Sequence, residues 1–322
     1  MRRHEPPPNP ARPRPRPDPR ACGDDAAGSD VGDASADAGD TSADAPGDAG
    51  PDADGDVGPD PTFALLGSVT AELYPADHGF PGMTQFDVSV RDRPYANVHT
   101  LAAAAGDCER WVYANPVCDP ACGADEACQA DHTCLPFAHA VSIGTVTWSN
   151  GAATVSSEAH TENPDYLYYE SKSEDAGWFA AGDSVHVTAT GATLPAFAVT
   201  LTGIGPLEAP SDSAPFELAS AYTKDVTFVW TPTPGSDATI ELNLRTGWHG
   251  GPPSAMIVCR APDAQGHIVV PKAVLAGFGF CTGPCLFQHP SEIQRLSRAL
   301  VATPNGPLEV VLKARGPLRT SR

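Results

Sequence analysis

The sequence VTFVWTPTPGSDATIELNL, residues 226–244, contains two short apolar runs on either side of a turn. In each run apolar side chains alternate with polar ones, which is the pattern of a strand with one buried face. The turn residues 232–236 are rich in proline and glycine, which break regular structure. We therefore predict a β-hairpin here, the strongest in the chain.

The same pattern recurs along most of the chain after residue 140. Alternating runs separated by turn residues at roughly ten-residue intervals predict an all-β fold, an antiparallel β-sandwich. Residues 141–148 and 154–155 flank a Ser-Asn-Gly turn at 149–151 and predict a second hairpin. Further strands are predicted at residues 184–188, 197–201, 255–259, 267–270 and 308–312.

Signals for helix are few. Residues 271–276 begin with proline and predict a single helical turn. Residues 291–300 place Ile293, Leu296 and Leu300 at helical spacing after a Ser-x-x-Gln capping pattern. The same residues fit a strand equally well, so the sequence leaves that stretch open between the two.

Composition divides the chain into three regions. Residues 1–61 have too few apolar side chains to offset the entropy of folding, and we predict a disordered Pro/Arg arm followed by an Asp/Ala/Gly tether. Residues 62–107 and 138–322 are predicted to form the sandwich body. Residues 108–137 are predicted to be a small cysteine-rich, EGF-like insertion. Two sequential sandwiches that split near residue 205 are the alternative.

The net charge of the chain is -20 at pH 7. Residues 1–20 carry six arginines, whereas residues 22–60 carry twelve aspartates and neither lysine nor arginine. Such an acidic protein repels phosphate backbones, and short basic stretches such as residues 313–322 do not form a basic face by themselves. We therefore exclude nucleic acid as a partner.

The segment Ala21-Cys22-Gly23-Asp24-Asp25 resembles the start of a mature bacterial lipoprotein, in which the cysteine is the acylated first residue. Cys22 is accordingly a lipidation candidate. The preceding residues depart from that pattern, because proline alternates with arginine where a signal peptide needs an apolar segment. Either the true start lies elsewhere upstream, or Cys22 is not lipidated.

Eight cysteines remain after Cys22, and five of them fall within 27 residues. They are Cys108, Cys118, Cys122, Cys128, Cys134, Cys259, Cys281 and Cys285. The segment around them is too polar to form a core, so we predict disulfide bonds and an oxidising compartment. Eight cysteines permit 105 pairings, and sequence does not choose among them. We expect the pairs Cys118–Cys128, Cys122–Cys134, Cys108–Cys259 and Cys281–Cys285.

Two other roles for these cysteines are less consistent with their spacing. Structural zinc sites favour two short cysteine or histidine pairs, and the spacings between residues 118 and 134 give no second matching pair, so no metal is predicted. The Cys281-Thr-Gly-Pro-Cys285 segment has one residue more than a redox Cys-x-x-Cys motif and no thioredoxin-like surroundings.

Taken together, these features resemble a known group of proteins. The segment at residues 21–25, the acidic tether, the cysteine run at 118–134 and Ile257-Val258-Cys259-Arg260 are similar to the cysteine-rich, EGF-like-bearing lipoproteins of myxobacteria and their relatives. The resemblance implies export to the cell surface or periplasm, as an outer-membrane lipoprotein if Cys22 is lipidated. It implies no particular activity.

The sequence contains no motif of a known catalytic or cofactor site. Gly-x-Ser-x-Gly, His-Glu-x-x-His and phosphate-binding loops are all missing from it, and no cofactor is predicted. We therefore predict a non-catalytic cell-envelope protein that acts as a surface interaction or structural module. Its partner would be an unidentified protein or glycan, and it would contact the membrane only through a lipid on Cys22.

Two further functions stay open. A carbohydrate-binding module would stack aromatic rings on sugar faces, and the candidate rings are Tyr166, Tyr168, Trp178 and Trp248. The competing interpretation is that these rings fill the core, as aromatic side chains do in most sandwiches. His186 is interpreted as an ordinary strand residue. A secreted hydrolase with an unrecognised site is the second alternative.

Overall fold

The computed structural model describes residues 64–76, 81–163, 166–209, 217–218, 224–246, 252–278, 291–316 and 318–320. All of them lie in the compact unit Asp56–Arg322. The predicted arm and tether, Cys22, Trp248, Cys281 and Cys285 lie outside the described residues.

Strands dominate the described chain. In order they are β1 (Gly67–Tyr74), β2 (Met83–Val90), β3 (His99–Ala105), β4 (Cys108–Tyr113), β5 (Glu126–Cys128), β6 (Cys134–Pro136), β7 (Val146–Ser149), β8 (Thr154–Ser157), β9 (Ala159–Asn163), β10 (Tyr166–Tyr169), β11 (Lys172–Asp175), β12 (Ser184–Ala189), β13 (Phe197–Thr202), β14 (Glu217–Leu218), β15 (Val226–Val229), β16 (Thr239–Thr246), β17 (Ala255–Pro262), β18 (His267–Val270), β19 (Glu292–Thr303), β20 (Gly306–Gly316) and β21 (Arg319–Thr320). A short helix, α1 (Lys272–Leu275), and one 3-10 turn (Asp263–Gln265) complete the elements.

A nine-stranded sheet in the order β11-β2-β1-β20-β19-β16-β17-β4-β3 forms the centre of the fold. A four-stranded sheet, β13-β12-β7-β8, and the pair β15-β18 supply the opposing layers. The all-β class predicted from the sequence is confirmed. Most neighbours are antiparallel, but β1 and β20 pair in parallel, from Ser68 with Glu309 to Leu73 with Ala314. Parallel neighbours need a long connection, and the rest of the sandwich lies between these two strands in sequence.

Alternating burial follows the sequence pattern that predicted the strands. In β12, Val185, Val187 and Ala189 are buried, while the three residues between and before them are exposed. Successive side chains of a strand point to opposite faces, so this alternation gives one core face and one solvent face. The hairpin predicted around residues 149–151 is present as β7 and β8, paired from Val146 with Ser157 to Ser149 with Thr154.

The hairpin predicted at residues 226–244 is wrong, although both of its strands exist. β15 pairs with β18, and β16 pairs with β17 and β19. The proline-rich turn therefore carries the chain from one layer of the sandwich to the other. Phe228 and Leu242 meet in the same core from opposite layers, because each strand buries its apolar face against the other sheet rather than bonding edge to edge.

The two helix expectations have different outcomes. Pro271 precedes α1, as predicted for a helical turn that begins with proline. Residues 291–300, which the sequence left open, lie in strand β19, where the side chains of Ile293 and Leu296 are buried on opposite faces of the sheet. The core face of β19 carries the polar residues Arg295 and Ser297, and its outer face carries Leu296, so apolar and polar residues do not alternate and a helical spacing appears instead.

Two apolar cores lie on the same face of the nine-stranded sheet, which we call the inner face. Leu312 belongs to the first core and pairs with Ser297, whereas Ile293 belongs to the second core and pairs with Leu242. Ser297 and Ile293 are four residues apart on β19 and therefore share a face. One continuous sheet thus carries two sandwich halves.

The chain passes from the first core to the second close to residue 205. Ile204 is buried in the first core and Leu207 in the second. This is where the sequence placed the boundary between two alternative sandwiches. Strands β19 and β20 nevertheless run through the shared sheet, so the two halves are not separate sequential domains.

Arg295 fixes this crossing. Its side chain is buried on the inner face, where Nη1 donates to the carbonyl oxygens of Gly205 (3.1 Å) and Pro206 (2.7 Å). Its Nη2 donates to the carbonyl oxygen of Thr231 (2.8 Å) and to Oδ1 of Asp263 (3.0 Å). Asp263 is itself fully buried. One guanidinium therefore joins the crossing segment to two loops of the second core.

Candidate functional site

Three disulfide bonds lie in the described chain, with the pairing expected from the sequence. Cys118 bonds to Cys128 and Cys122 bonds to Cys134, across the small hairpin of β5 and β6. The third joins Cys108 on β4 to Cys259 on β17, directly opposite each other and both buried. Because β4 is a strand of the large sheet, the segment held by the two interlaced bridges begins after it, not at residue 108.

Cysteine sulfur atoms of the module lie close enough together to suggest a metal site. Cys122 and Cys134 are near the carboxylate of Glu126, and Cys118, Cys122 and Cys128 also form a cluster. All four sulfur atoms are bonded in disulfides, so none is a thiolate that a metal ion could take as a ligand.

The proposed sugar-stacking role of Trp178 is wrong in this structure. The Trp178 ring is 8% exposed and packs edge-on against Phe86, with ring centroids 4.9 Å apart. It belongs to the first core, where burial of a large aromatic ring between two sheets stabilises the fold. A ring buried in this way has no face to offer to a ligand.

Of the remaining candidates, Tyr168 is the one whose ring lies within the described part of the structure. Tyr166 begins strand β10, opposite Asn163. Tyr168 is half-buried beside His160, with ring centroids 5.6 Å apart. It lines a cavity of about 350 Å³ together with Arg91, among other residues.

His186 lies exposed on β12, as expected for a strand residue on the solvent face. Its Nδ1 is 2.9 Å from Oγ1 of Thr200, and its Nε2 is 3.4 Å from Oγ of Ser184. A nucleophilic triad instead orients its histidine with a buried carboxylate. The arrangement resembles ordinary cross-strand hydrogen bonding on an open sheet face.

The outer face of the nine-stranded sheet carries a different kind of site, which we call the charged groove. It is a cavity of about 330 Å³ opposite the two cores. Its positive side chains are those of Arg245, Arg260, Arg298 and Lys313. Its carboxylates are those of Glu241, Glu292 and Glu309, and Asn243 and Gln294 contribute amides.

Strand register brings these side chains together. Glu241 on β16 lies directly opposite Arg260 on β17 and Gln294 on β19. Its neighbours Ile240 and Leu242 point to the inner face, where they are fully buried. Polar residues at alternate positions of adjacent apolar strands therefore meet on one face and interact as cross-strand pairs.

Hydrogen bonds order the centre of the groove. Arg260 Nε donates to Oε2 of Glu241 (2.9 Å), and the Gln294 amide donates to Oε1 of the same carboxylate (3.3 Å). Arg245 Nε donates to Oδ1 of Asn243 (3.0 Å), and Arg245 Nη2 lies 3.5 Å from Oε1 of Glu292. These contacts hold the long side chains in place before any ligand arrives.

Arg315 closes one end of the network. Its Nη2 lies 2.8 Å from Oε1 of Glu72 and 3.2 Å from Oε2 of Glu292. Burial alone would lower the pKa of Arg315, but these two carboxylates together raise it. The guanidinium also lies over the ring of Tyr74, 5.2 Å from its centroid. Burial, followed by the negative charge of Glu72, raises the pKa of Tyr74 to about 12.

Beside Arg315 on the same face, two further cations are less closely paired with carboxylates. Glu72 lies opposite Lys313 in the strand register, but its Oε1 is held by Arg315. The nearest carboxylate oxygen to Arg298 is Oε1 of Glu309, 3.7 Å from Nη1. Lys313 makes no ion pair with any described residue. Burial raises the pKa of Glu309, despite the opposing effects of Lys313 and Arg298. The groove therefore disfavours the negative charge that stands closest to these two cations.

The groove is not among the sites predicted from the sequence, in which residues 313–322 stand out only as a short basic stretch. The available signal was the alternation of polar with apolar residues in Glu241-Leu-Asn243-Leu-Arg245, inside a strand with a buried inner face. That signal gives a polar outer face but does not show which distant strands lie beside it.

Comparisons with known proteins assign the chain to no family. No protein-family model matches the sequence, and no curated protein matches it. Among solved structures, the FN1-FN3 domains of chicken CNTN1 align with 76% of this chain and 86% of that chain, at 9% sequence identity and a TM-score of 0.15. At that TM-score the alignment carries no argument. Within the described part of the chain, no helix has the length and apolar character needed to cross a bilayer.

Proposed function

We propose that this protein is an exported, non-catalytic interaction module of the bacterial cell envelope. The observation that carries the proposal is the buried Cys108–Cys259 bridge between adjacent strands of the main sheet. Disulfides of this structural kind persist in the periplasm or at the cell surface and are rare in the cytosol. The interlaced bridges of the small module support the same compartment.

The shape of the candidate site supports binding rather than chemistry. The charged groove lies on an open sheet face, and its arginines and glutamates are mostly engaged with one another. His186 is held by hydroxyl groups on another sheet. Polar side chains fixed on rigid strands are well suited to recognise a ligand, because little entropy is lost when it binds.

Thiol labelling of the purified full-length protein tests the compartment. The native protein should incorporate no alkylating label at Cys108 or Cys259 until it is denatured in reductant, as read by peptide mass spectrometry. Full labelling of both residues in denaturant without reductant would overturn the proposal.

Binding to isolated envelopes tests the role itself. The full-length protein should sediment with envelope fractions of its native cells, whereas the reduced and alkylated protein should not, since its fold depends on the bridges. Equal recovery of the two forms in the supernatant would contradict the proposal.

A carbohydrate-binding module is the second candidate function. The amides of Asn243 and Gln294 beside ordered arginine and glutamate side chains favour it, since these groups pair with sugar hydroxyls. Among the described lining residues of the groove there is no aromatic ring, so recognition would depend on hydrogen bonds. A glycan array probed with the full-length protein tests this candidate, and an array without a single reproducible signal would argue against it.

A further inference from the structure

We propose that the charged groove binds an acidic saccharide, with the carboxylate of a sugar unit held between Lys313 and Arg298 and its hydroxyls held by the amides and carboxylates beyond them. This inference rests on the proposed binding role and names its ligand class. None of the described residues that line this site is one of the aromatic candidates.

The first argument is the concentration of positive charge. The chain has a net charge of -20, yet five cationic side chains gather on this one sheet face, with four carboxylates among them. The fifth cation, Arg315, is held by Glu72 and Glu292. Elsewhere an acidic protein repels an anion, so a local excess of cations creates a place where one anionic group is attracted.

Second, two cations of the groove, Arg298 and Lys313, are less closely paired with carboxylates than the other three. Arg245, Arg260 and Arg315 each have a carboxylate oxygen within 3.5 Å, but Arg298 has its nearest at 3.7 Å and Lys313 forms no ion pair with a described residue. Burial also disfavours ionisation of Glu309 beside them. A ligand carboxylate placed there would therefore form charge-assisted hydrogen bonds that the protein itself leaves unmade.

The third argument selects among anions. Glu241, Glu292 and Glu309 line the same cavity, and their carboxylates would repel a ligand with dense charge such as a polyphosphate or a heavily sulfated polymer. Carboxylates accept hydrogen bonds from hydroxyl groups, and side-chain amides both donate to hydroxyl groups and accept from them. A ligand with one negative group and many hydroxyl groups matches both the cations of the groove and its amides and carboxylates. A uronic acid unit has that composition.

Size is consistent with this ligand. The groove volume of about 330 Å³ lies at the lower end of the range of roughly 300–1,000 Å³ that is usual for small-molecule sites. It lies on the sheet face opposite the two cores, so neither core covers it.

The test uses the full-length protein with its disulfides intact and polygalacturonate as the probe, since this polymer has one carboxylate per sugar. Lys313→Met and Arg298→Met should each weaken binding about tenfold, the loss expected for one charge-assisted hydrogen bond. The matched control is Lys172→Met. It removes a lysine of β11 that is paired with Glu170 and does not line the groove, so this variant should bind like the wild type. Far-UV circular dichroism and thermal melting establish that each variant is folded.

Glu309→Gln separates recognition from damage to the fold, because it should increase affinity severalfold by removing a competing negative charge. Neutral dextran should not compete with polygalacturonate for the protein. Inorganic phosphate, added at a concentration equal to that of the polymer's carboxylates, should not compete either. Wild-type affinity in both Lys313→Met and Arg298→Met would overturn the inference, as would equal binding of dextran or stronger binding of heparin.

The outcomes also separate this inference from the proposed function. Binding to native envelopes that is unaffected by Lys313→Met and by excess polygalacturonate would overturn the acidic-saccharide inference and leave the envelope role standing. Groove-dependent binding to polygalacturonate with no binding to native envelopes would support the ligand class and overturn the envelope role.

Discussion

Replacing Arg295 by methionine should destabilise the protein more than any exposed substitution. Methionine fills similar space but donates no hydrogen bonds, so the carbonyl oxygens of Gly205, Pro206 and Thr231 lose a donor. The carboxylate of Asp263, which has no solvent exposure, loses its counter-ion and, among the described residues, keeps the backbone N–H of Thr233 at 3.1 Å as its donor. An unpaired charge would then remain in the interior.

The magnitude follows from this geometry. Removing one partner of a buried ion pair costs about 3–5 kcal/mol, because the other charge stays desolvated and uncompensated. For a folded body of this size, each kcal/mol lowers Tm by about 2–4 °C, so the melting temperature should fall by roughly 6–20 °C. That is a large fraction of the stability of a typical domain, about 5–15 kcal/mol.

Urea unfolding followed by tryptophan fluorescence measures the effect. Trp230 is a local reporter, since its Nε1 donates to the carbonyl oxygen of Asp263 at 2.9 Å. The double variant Arg295→Met with Asp263→Asn should recover part of the lost stability, because no buried charge remains in it. Arg93→Met is the matched control: it breaks an exposed pair with Asp92 and should cost less than about 1 kcal/mol.

Two results would refute this reasoning. If Arg295→Met unfolds at the same urea concentration as Arg93→Met, the buried guanidinium does not hold the crossing segment. If the double variant is destabilised by the full sum of the two single variants, the cost lies in lost packing and not in an unpaired charge.

Three further predictions concern the disulfides, the groove and the first core. Replacing Cys108 and Cys259 together by alanine should cost about 4–5 kcal/mol in the chain-entropy model, since 151 residues separate them, and an unchanged urea midpoint would contradict this. Glu309→Gln should be more stable than the wild type at pH 7, because burial raises the pKa of Glu309 in the folded state and ionisation therefore favours unfolding. That advantage should disappear below about pH 4, where the carboxyl is protonated in both states, and an equal difference at both pH values would contradict the electrostatic reason. Tyr169→Phe should cost about 1–2 kcal/mol in thermal melting, since the hydroxyl accepts from the Ile143 N–H at 2.8 Å and donates to the Gly144 carbonyl at 2.9 Å, and a melting temperature equal to that of the wild type would show that water replaces both bonds.

Local pattern was enough to predict most strands after residue 140. β12 and β16 were identified because apolar residues at alternate positions bury one face of a strand wherever that strand is placed. The pattern was ambiguous at residues 291–300, because β19 places the polar residues Arg295 and Ser297 on its core face and the apolar Leu296 on its outer face.

Three of the four expected cysteine pairs are present among the described residues, although spacing by itself did not choose among the possible pairings. The two short loops closed by Cys118–Cys128 and Cys122–Cys134 form within one module, and Cys259 then faces Cys108 across adjacent strands. The candidate rings had no comparable constraint. Whether Trp178 faces solvent or a core depends on which sheet packs against it. The residues next to it in the sequence do not specify that sheet.

By itself, the sequence determined the all-β class, the places where strands form and the need for disulfide bonds, because these follow from side-chain alternation, turn residues and the polarity of the cysteine segment. Only the tertiary structure decided that β15 pairs with β18, that β1 lies parallel to β20, and that Glu72 and Arg315 meet although 243 residues separate them. The physical reason is that alternation specifies which side chains share a face of one strand. The choice of neighbouring strand is set by packing and hydrogen bonding summed over the whole sheet, and that sum brings Lys313 and Arg298 together in the charged groove.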